Sequence, residues 1–151
     1  MMSAPASKPQ VTRPDGLLIL LLVYAAASLL HHAHNAAFLN DYPNMPAWLT
    51  PAGVYVAWLA VTVVGIVGYL LFRRGYRLAG LAAIALYGAL GLYGLAHYGV
   101  APASAHTATM HLSIWLEAAT GALVLFGVAW LIARELRERT ARARARQDPV
   151  A

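Results

Sequence analysis

At 151 residues, with 60% hydrophobic and only 11% charged side chains, the chain is too apolar for an ordinary soluble domain and has the composition of a membrane protein. The formal charge of +5 does not mark a nucleic-acid binder, because the eleven Lys and Arg fall in three short regions and leave residues 31–57 and 97–115 with none. Cysteine is absent, so disulfides, thiolate metal ligands and cysteine-bound iron–sulfur clusters are excluded.

Residues 1–16, "MMSAPASKPQVTRPDG", are polar and proline-bearing and are expected to form a disordered lead-in, with Asp15 placed to cap the first helix. Four apolar blocks follow, at 17–38, 52–72, 76–100 and 107–133. Each reaches the ~20 residues that a helix needs to cross the hydrocarbon. Backbone groups left unpaired in lipid are costly, so such blocks must be helices, whereas a barrel would show alternating segments of about ten residues. The expected fold is therefore an all-α integral membrane protein. Its single domain, residues 17–133, is an antiparallel four-helix transmembrane bundle, and a basic tail, 134–151, follows it.

The positive-inside rule places Lys8 and Arg13, the turn with Arg73, Arg74 and Arg77, and the run from Arg134 to Arg146 in the cytoplasm. Both termini are then cytoplasmic, in a multi-pass protein of the inner (plasma) membrane. A secretory signal peptide is the competing reading of the first block. Its continuation to Phe38 and its histidines favour a retained span.

The first connection, "LNDYPNMPAWLTPAG", carries Pro43, Pro46 and Pro51, which cannot continue a helix interior. It is expected to fold back on the membrane surface, with Tyr42, Trp48 and Tyr55 in an interfacial belt. The alternative is a lid over a site, with Asn40, Asp41 or Tyr42 as ligands and Met45 for a soft ion. The short "FRRGYR" turn makes the second and third helices antiparallel neighbours, and the small residues of "GIVG" and "GLYG" permit close approach. The arginine-rich tail extends the fourth helix as an anchor, with the bilayer as partner and anionic lipid at its basic groups.

The chemistry lies in the polar residues of these blocks. At 100° per residue, Tyr24, Ser28, His31 and Asn35 form one narrow stripe, with His34 beside it and His32 pointing elsewhere. In the third block Tyr93 and His97 are one turn apart. The fourth opens with "AHTATMHLSIWLE", which puts His106 at the boundary, His111 a turn inside, and Glu117 roughly 15 Å along the helix. Glu117 is the only acid between Asp41 and Glu135, and a lone carboxyl at that depth must be neutral, paired or ligated.

Imidazoles with a carboxylate inside a bundle are the composition of a transition-metal site. The first expectation is thus an outward-facing site for Cu, Zn or Fe, formed by His31, His34, His97, His111 and Glu117, serving metal handling or a redox step. A haem b or quinone-linked electron-transfer subunit, with axial ligands drawn from His31, His34, His97 and His111, is the alternative. A metal-free membrane enzyme acting on a lipid or terpenoid would use Glu117, His97 and His111 as acid and base. The last reading is a structural accessory subunit, within a homo-oligomer or larger membrane complex, whose polar residues fix helix register. His32 and His106 are expected in headgroup water or in structural hydrogen bonds, and Tyr24, Tyr87 and Tyr93 in packing.

Overall fold

The computed structural model describes residues 15–147, apart from the side chains of Ala145 and Gln147. The expected lead-in over 1–14 and the last four residues lie outside the described residues. No strand occurs among those described.

Helix α1, Gly16–Ala37, begins at Asp15, whose carboxylate accepts from the backbone N–H of Leu17 (3.1 Å) and Leu18 (3.4 Å). Helix α2, Pro51–Arg73, starts at Thr50, whose hydroxyl accepts from Gly53 N (3.1 Å), with Pro51 in the first turn where no N–H is needed. The turn after it uses Gly75 at φ +93°, a conformation that suits glycine. Helix α3, Arg77–Gly91, passes into a 3₁₀ segment, Leu92–Ala96, and then into the single turn α4, His97–Val100. A 3₁₀ turn, Ala103–Ala105, leads to α5, Ala108–Gln147.

Four helical stretches are long and apolar enough to span a membrane: Gly16–Ala37, Pro51–Arg73, Arg77–Val100 and Ala108–Arg144. They begin and end close to the apolar blocks of the sequence, except that the fourth runs past 133 to Arg144, as the basic tail extends the helix. The difference lies inside the third, which is not one continuous α-helix. Gly91 and Gly94 lower helix propensity there, and the tighter 3₁₀ winding carries the backbone against neighbouring side chains.

The long helices form a ring in which α1 packs on α2, α2 on α3, α3 on α5, and α5 on α1. Pairs of contacts fix the antiparallel sense. Asp15, at the start of α1, meets Tyr69 and Arg73, at the end of α2. Arg77, at the start of α3, meets Glu135 in the second half of α5. Although burial acts to raise it, the Tyr69 hydroxyl, the Leu18 and Leu17 amides and the Arg73 charge together hold the Asp15 carboxyl below its ordinary pKa.

The half of the bundle nearest these arginines is tightly packed around α3, with an apolar cavity of ≈ 230 Å³ left between α1 and α2. Its core is Leu21, Tyr24, Leu81, Ile84, Tyr87, Val124 and Val128. A Cβ on Gly80 would run into the Phe72 backbone and lie 2.7 Å from Gly68 O, and one on Gly88 would lie 2.9 Å from Gly121 O. Backbones therefore touch across α2–α3 and α3–α5, as small residues allow between apolar helices. Large apolar side chains such as Leu22, Val56 and Phe126 face outward and are 60%, 66% and 74% exposed. That inverts the soluble pattern and suits a hydrocarbon surround.

Gly80→Ala is expected to destabilise the folded chain by about 1–3 kcal/mol through overpacking. Gly99→Ala, where a Cβ meets nothing within 4 Å, should stay within about 0.5 kcal/mol. Thermal unfolding in detergent checks both, and equal midpoints would contradict the close α2–α3 approach.

Candidate functional site

The opposite half of the bundle is loosely filled. The 38–50 connection crosses it and is tied down at two points. His34 Nδ1 and the Tyr42 hydroxyl bond at 2.8 Å, and Asn44 Nδ2 donates to Val100 O at 2.7 Å. Asn44 adopts φ +58°, a left-handed conformation that asparagine tolerates. Burial raises the pKa of the Tyr42 phenol, so it stays a hydroxyl. Beneath this strap lies a cavity of ≈ 460 Å³ between α1, α2 and the end of α3. Val54, Ala57, Val61 and Leu90 form apolar walls, while His31, His32, Asn35, His97 and Glu117 supply its polar side.

Glu117 anchors that polar side. The Ser28 hydroxyl donates to its Oε1 at 2.6 Å, and His31 Nε2 lies 3.5 Å from its Oε2. All three residues are at most 3% exposed. The His31 tautomer follows from its partners. Ser113 spends its one hydroxyl hydrogen on Met110 O (3.0 Å), so at 3.2 Å it can only accept from His31 Nδ1. Nδ1 therefore carries hydrogen, and Nε2 is the position that gains or loses a proton. It accepts from Asn35 Nδ2 at 3.1 Å, and the same amide nitrogen lies 3.5 Å from His97 Nε2.

The neighbouring imidazoles are contiguous with this pair. His32 Nδ1 donates to Ser28 O (2.9 Å), which sets it 3.6 Å from Glu117 Oε1. His97 has its ring centre 5.5 Å from that of His31, 5.0 Å from Tyr42 and 6.3 Å from His106. His106 donates from Nδ1 to Pro102 O, and its ring is 5.8 Å from His111. His111 Nδ1 bonds the Tyr98 hydroxyl at 2.7 Å, with the two rings stacked.

The structure thus brings His31, His97 and Glu117 to one cavity and leaves two expected site residues elsewhere. His34 is bonded to Tyr42 and His111 to Tyr98. Among the described residues no three His, Cys, Asp or Glu side chains form a group able to hold a metal ion. The stripe of Tyr24, Ser28, His31 and Asn35 is buried throughout. Tyr24 packs on Tyr87 and donates to Tyr87 O at 3.1 Å, while Tyr93 is 78% exposed at the cavity rim.

One expectation needs correction. His32 does not point away from the site, because bonding back to the carbonyl four residues earlier swings its ring toward Glu117. His106 makes a structural hydrogen bond to Pro102 O, one of the two surroundings expected for it, and is 8% exposed among His97, Tyr98 and His111. The four-residue separations Ser28–His32 and Pro102–His106 were the available signals, as a histidine can reach a carbonyl one turn back. The 38–50 connection, expected to fold onto the membrane surface, supplies Asn44, Met45, Pro46, Trp48 and Leu49 to the cavity wall.

The tautomer makes a testable statement. Imidazole ¹⁵N spectra of the full chain should show His31 with hydrogen on Nδ1, and Ser113→Ala should weaken that preference, leaving only the Asn35 amide to enforce it, at a cost of about 1–3 kcal/mol for the stranded N–H. A His31 with hydrogen on Nε2 and bare Nδ1 would contradict the arrangement.

Comparison with family models, with curated proteins and with solved structures finds no match for this chain.

Proposed function

We propose that the chain is a multi-pass inner-membrane protein with both termini cytoplasmic, whose outward half binds a lipid-soluble small molecule beside a proton-exchanging pair, Glu117 and His31. The observation that carries this reading is the cavity. At ≈ 460 Å³ it falls within the range of small-molecule sites, and its apolar walls with a few convergent polar groups are what such sites share. The 3.5 Å approach of Glu117 Oε2 to His31 Nε2 supports proton exchange, with the Asn35 amide, which now donates to Nε2, turning away when Nε2 takes the proton. The orientation rests on the arginines at the tightly packed end and on the absence of Lys and Arg from residues 31–57 and 97–115.

Binding of a transition metal, Cu, Zn or Fe, is the second reading, and one observation favours it. His31 Nε2 and His97 Nε2 both approach the Asn35 amide nitrogen, with Glu117 Oε2 nearby. A metal would have to displace that amide from between them, and His34 and His111 would have to leave their tyrosines to join it. A haem held by His31 and His97 meets the same obstacle. Elemental analysis of the purified chain separates the readings: near-stoichiometric metal that is lost in His31→Ala/His97→Ala would favour the metal site over the organic ligand.

Two further outcomes are expected. Gly94→Leu should fill the cavity beside Glu117 and weaken binding of a lipid-soluble ligand at least about tenfold, or 1.4 kcal/mol, while the chain stays folded. Unchanged affinity would contradict the site. Because the chain lacks cysteine, Ser104→Cys should react with a membrane-impermeant thiol reagent on intact cells and Arg74→Cys should not. The reverse pattern would overturn the orientation.

A further inference from the structure

We propose that the ligand of this cavity is an amphipathic cation, with its charged head at Glu117 and its apolar body between α2 and the end of α3. The inference rests on the pocket reading above and adds the charge of the ligand to it.

The polar side of the cavity has acceptors in excess of donors. Ser28 satisfies Glu117 Oε1, but Oε2 receives no hydrogen bond. Asn35 spends its amide hydrogens on His31 and His97, and its Oδ1 is buried without a partner although the residue is only 7% exposed. A head that brings positive charge or N–H hydrogens meets that need, and one that brings further lone pairs does not.

Charge selects in the same direction. Among the described residues no Lys or Arg lines the cavity, and the basic residues at the ends of the spans lie at the other end of the bundle. A carboxylate- or phosphate-headed molecule would therefore face Glu117 with no fixed cation to receive it. A monocation would instead give the carboxylate the counter-charge that only a protonated imidazole could otherwise supply.

The approach to Glu117 is open by construction. A Cβ at Gly94 would lie 3.1 Å from Glu117 Oε2 and 3.6 Å from His31 Nε2, so glycine there leaves the carboxylate reachable from the cavity. The rim carries Trp48 and Tyr93, 79% and 78% exposed, whose ring faces attract cations. The apolar walls at Val54, Val61 and Leu90 accommodate the rest of the molecule.

The test uses three probes with the same apolar body and the full chain in nanodiscs of zwitterionic lipid: decylammonium, the anion decanesulfonate, and neutral decanol. The expected result is saturable binding of one decylammonium per chain, weakened at least about tenfold, or 1.4 kcal/mol, by Glu117→Gln and by Gly94→Leu and unchanged by Glu138→Gln. Thermal unfolding of each variant identifies any that fails to fold, and Gly94→Leu keeps the test open if Glu117→Gln is lost in this way. Decylammonium binding that ignores Glu117→Gln in a folded chain would overturn the cation assignment. Gly94-sensitive binding of the sulfonate or the alcohol without the ammonium would also overturn it and leave the pocket standing. If none of the three probes binds in a Gly94-sensitive manner, the pocket reading falls, and the cation assignment with it.

Discussion

A carboxyl group among apolar helices must be neutralised or surrounded by partners, and Glu117 sets the terms for the rest of this bundle. Its partners come from α1, where Ser28 donates to it and His31 lies against it. His31 in turn reaches back to Ser113 on α5. Residues three apart on α1 thus meet residues four apart on α5, one turn of each antiparallel helix, and only one register satisfies both contacts. Interhelical hydrogen bonds of this kind stabilise apolar bundles by only about 0.6 kcal/mol on average. Their larger effect is selective, because any other register strands a buried carboxyl.

That register divides the molecule. Toward the arginines, glycines at 68, 80, 88 and 121 bring backbones into contact across α2–α3 and α3–α5, and the space left, between α1 and α2, is smaller and apolar. Beyond Gly91 the packing changes. The chain tightens into a 3₁₀ segment, and the 38–50 strap lies along an open-sided cavity between α1, α2 and the end of α3. One end is built for rigidity. The other holds a cavity in which Asn35 and His97 trace back to the carboxyl through His31.

Much of this was legible in the sequence because the relevant signals are periodic. Block length gave the four helices, and the 4-3-4 spacing of Tyr24, Ser28, His31 and Asn35 gave a face that is buried at all four positions. The isolation of Glu117 between Asp41 and Glu135 singled it out. What was not legible depends on local bonds that periodicity ignores. An ideal helical wheel turns His32 away, but its bond to the Ser28 carbonyl brings the ring to Glu117. "GLYGLAHYG" reads as uninterrupted helix by its length and hydropathy, although its glycines weaken the α-helix where the chain tightens at Leu92. The strap is fixed by Asn44 binding Val100 O, a contact spanning 56 residues with no local sequence signature.

Isotope-edited infrared spectroscopy of the glutamate carboxyls reads the environment of Glu117 itself. Glu135 and Glu138 pair with arginines, which sets the Glu117 band apart. The account predicts a band that disappears in Glu117→Gln, shifts when Ser28→Ala removes the 2.6 Å hydrogen bond, and shifts again when His31→Ala removes the neighbouring imidazole. A Glu117 band indifferent to both α1 substitutions would mean that the carboxyl is not held by Ser28 and His31, and would contradict the account.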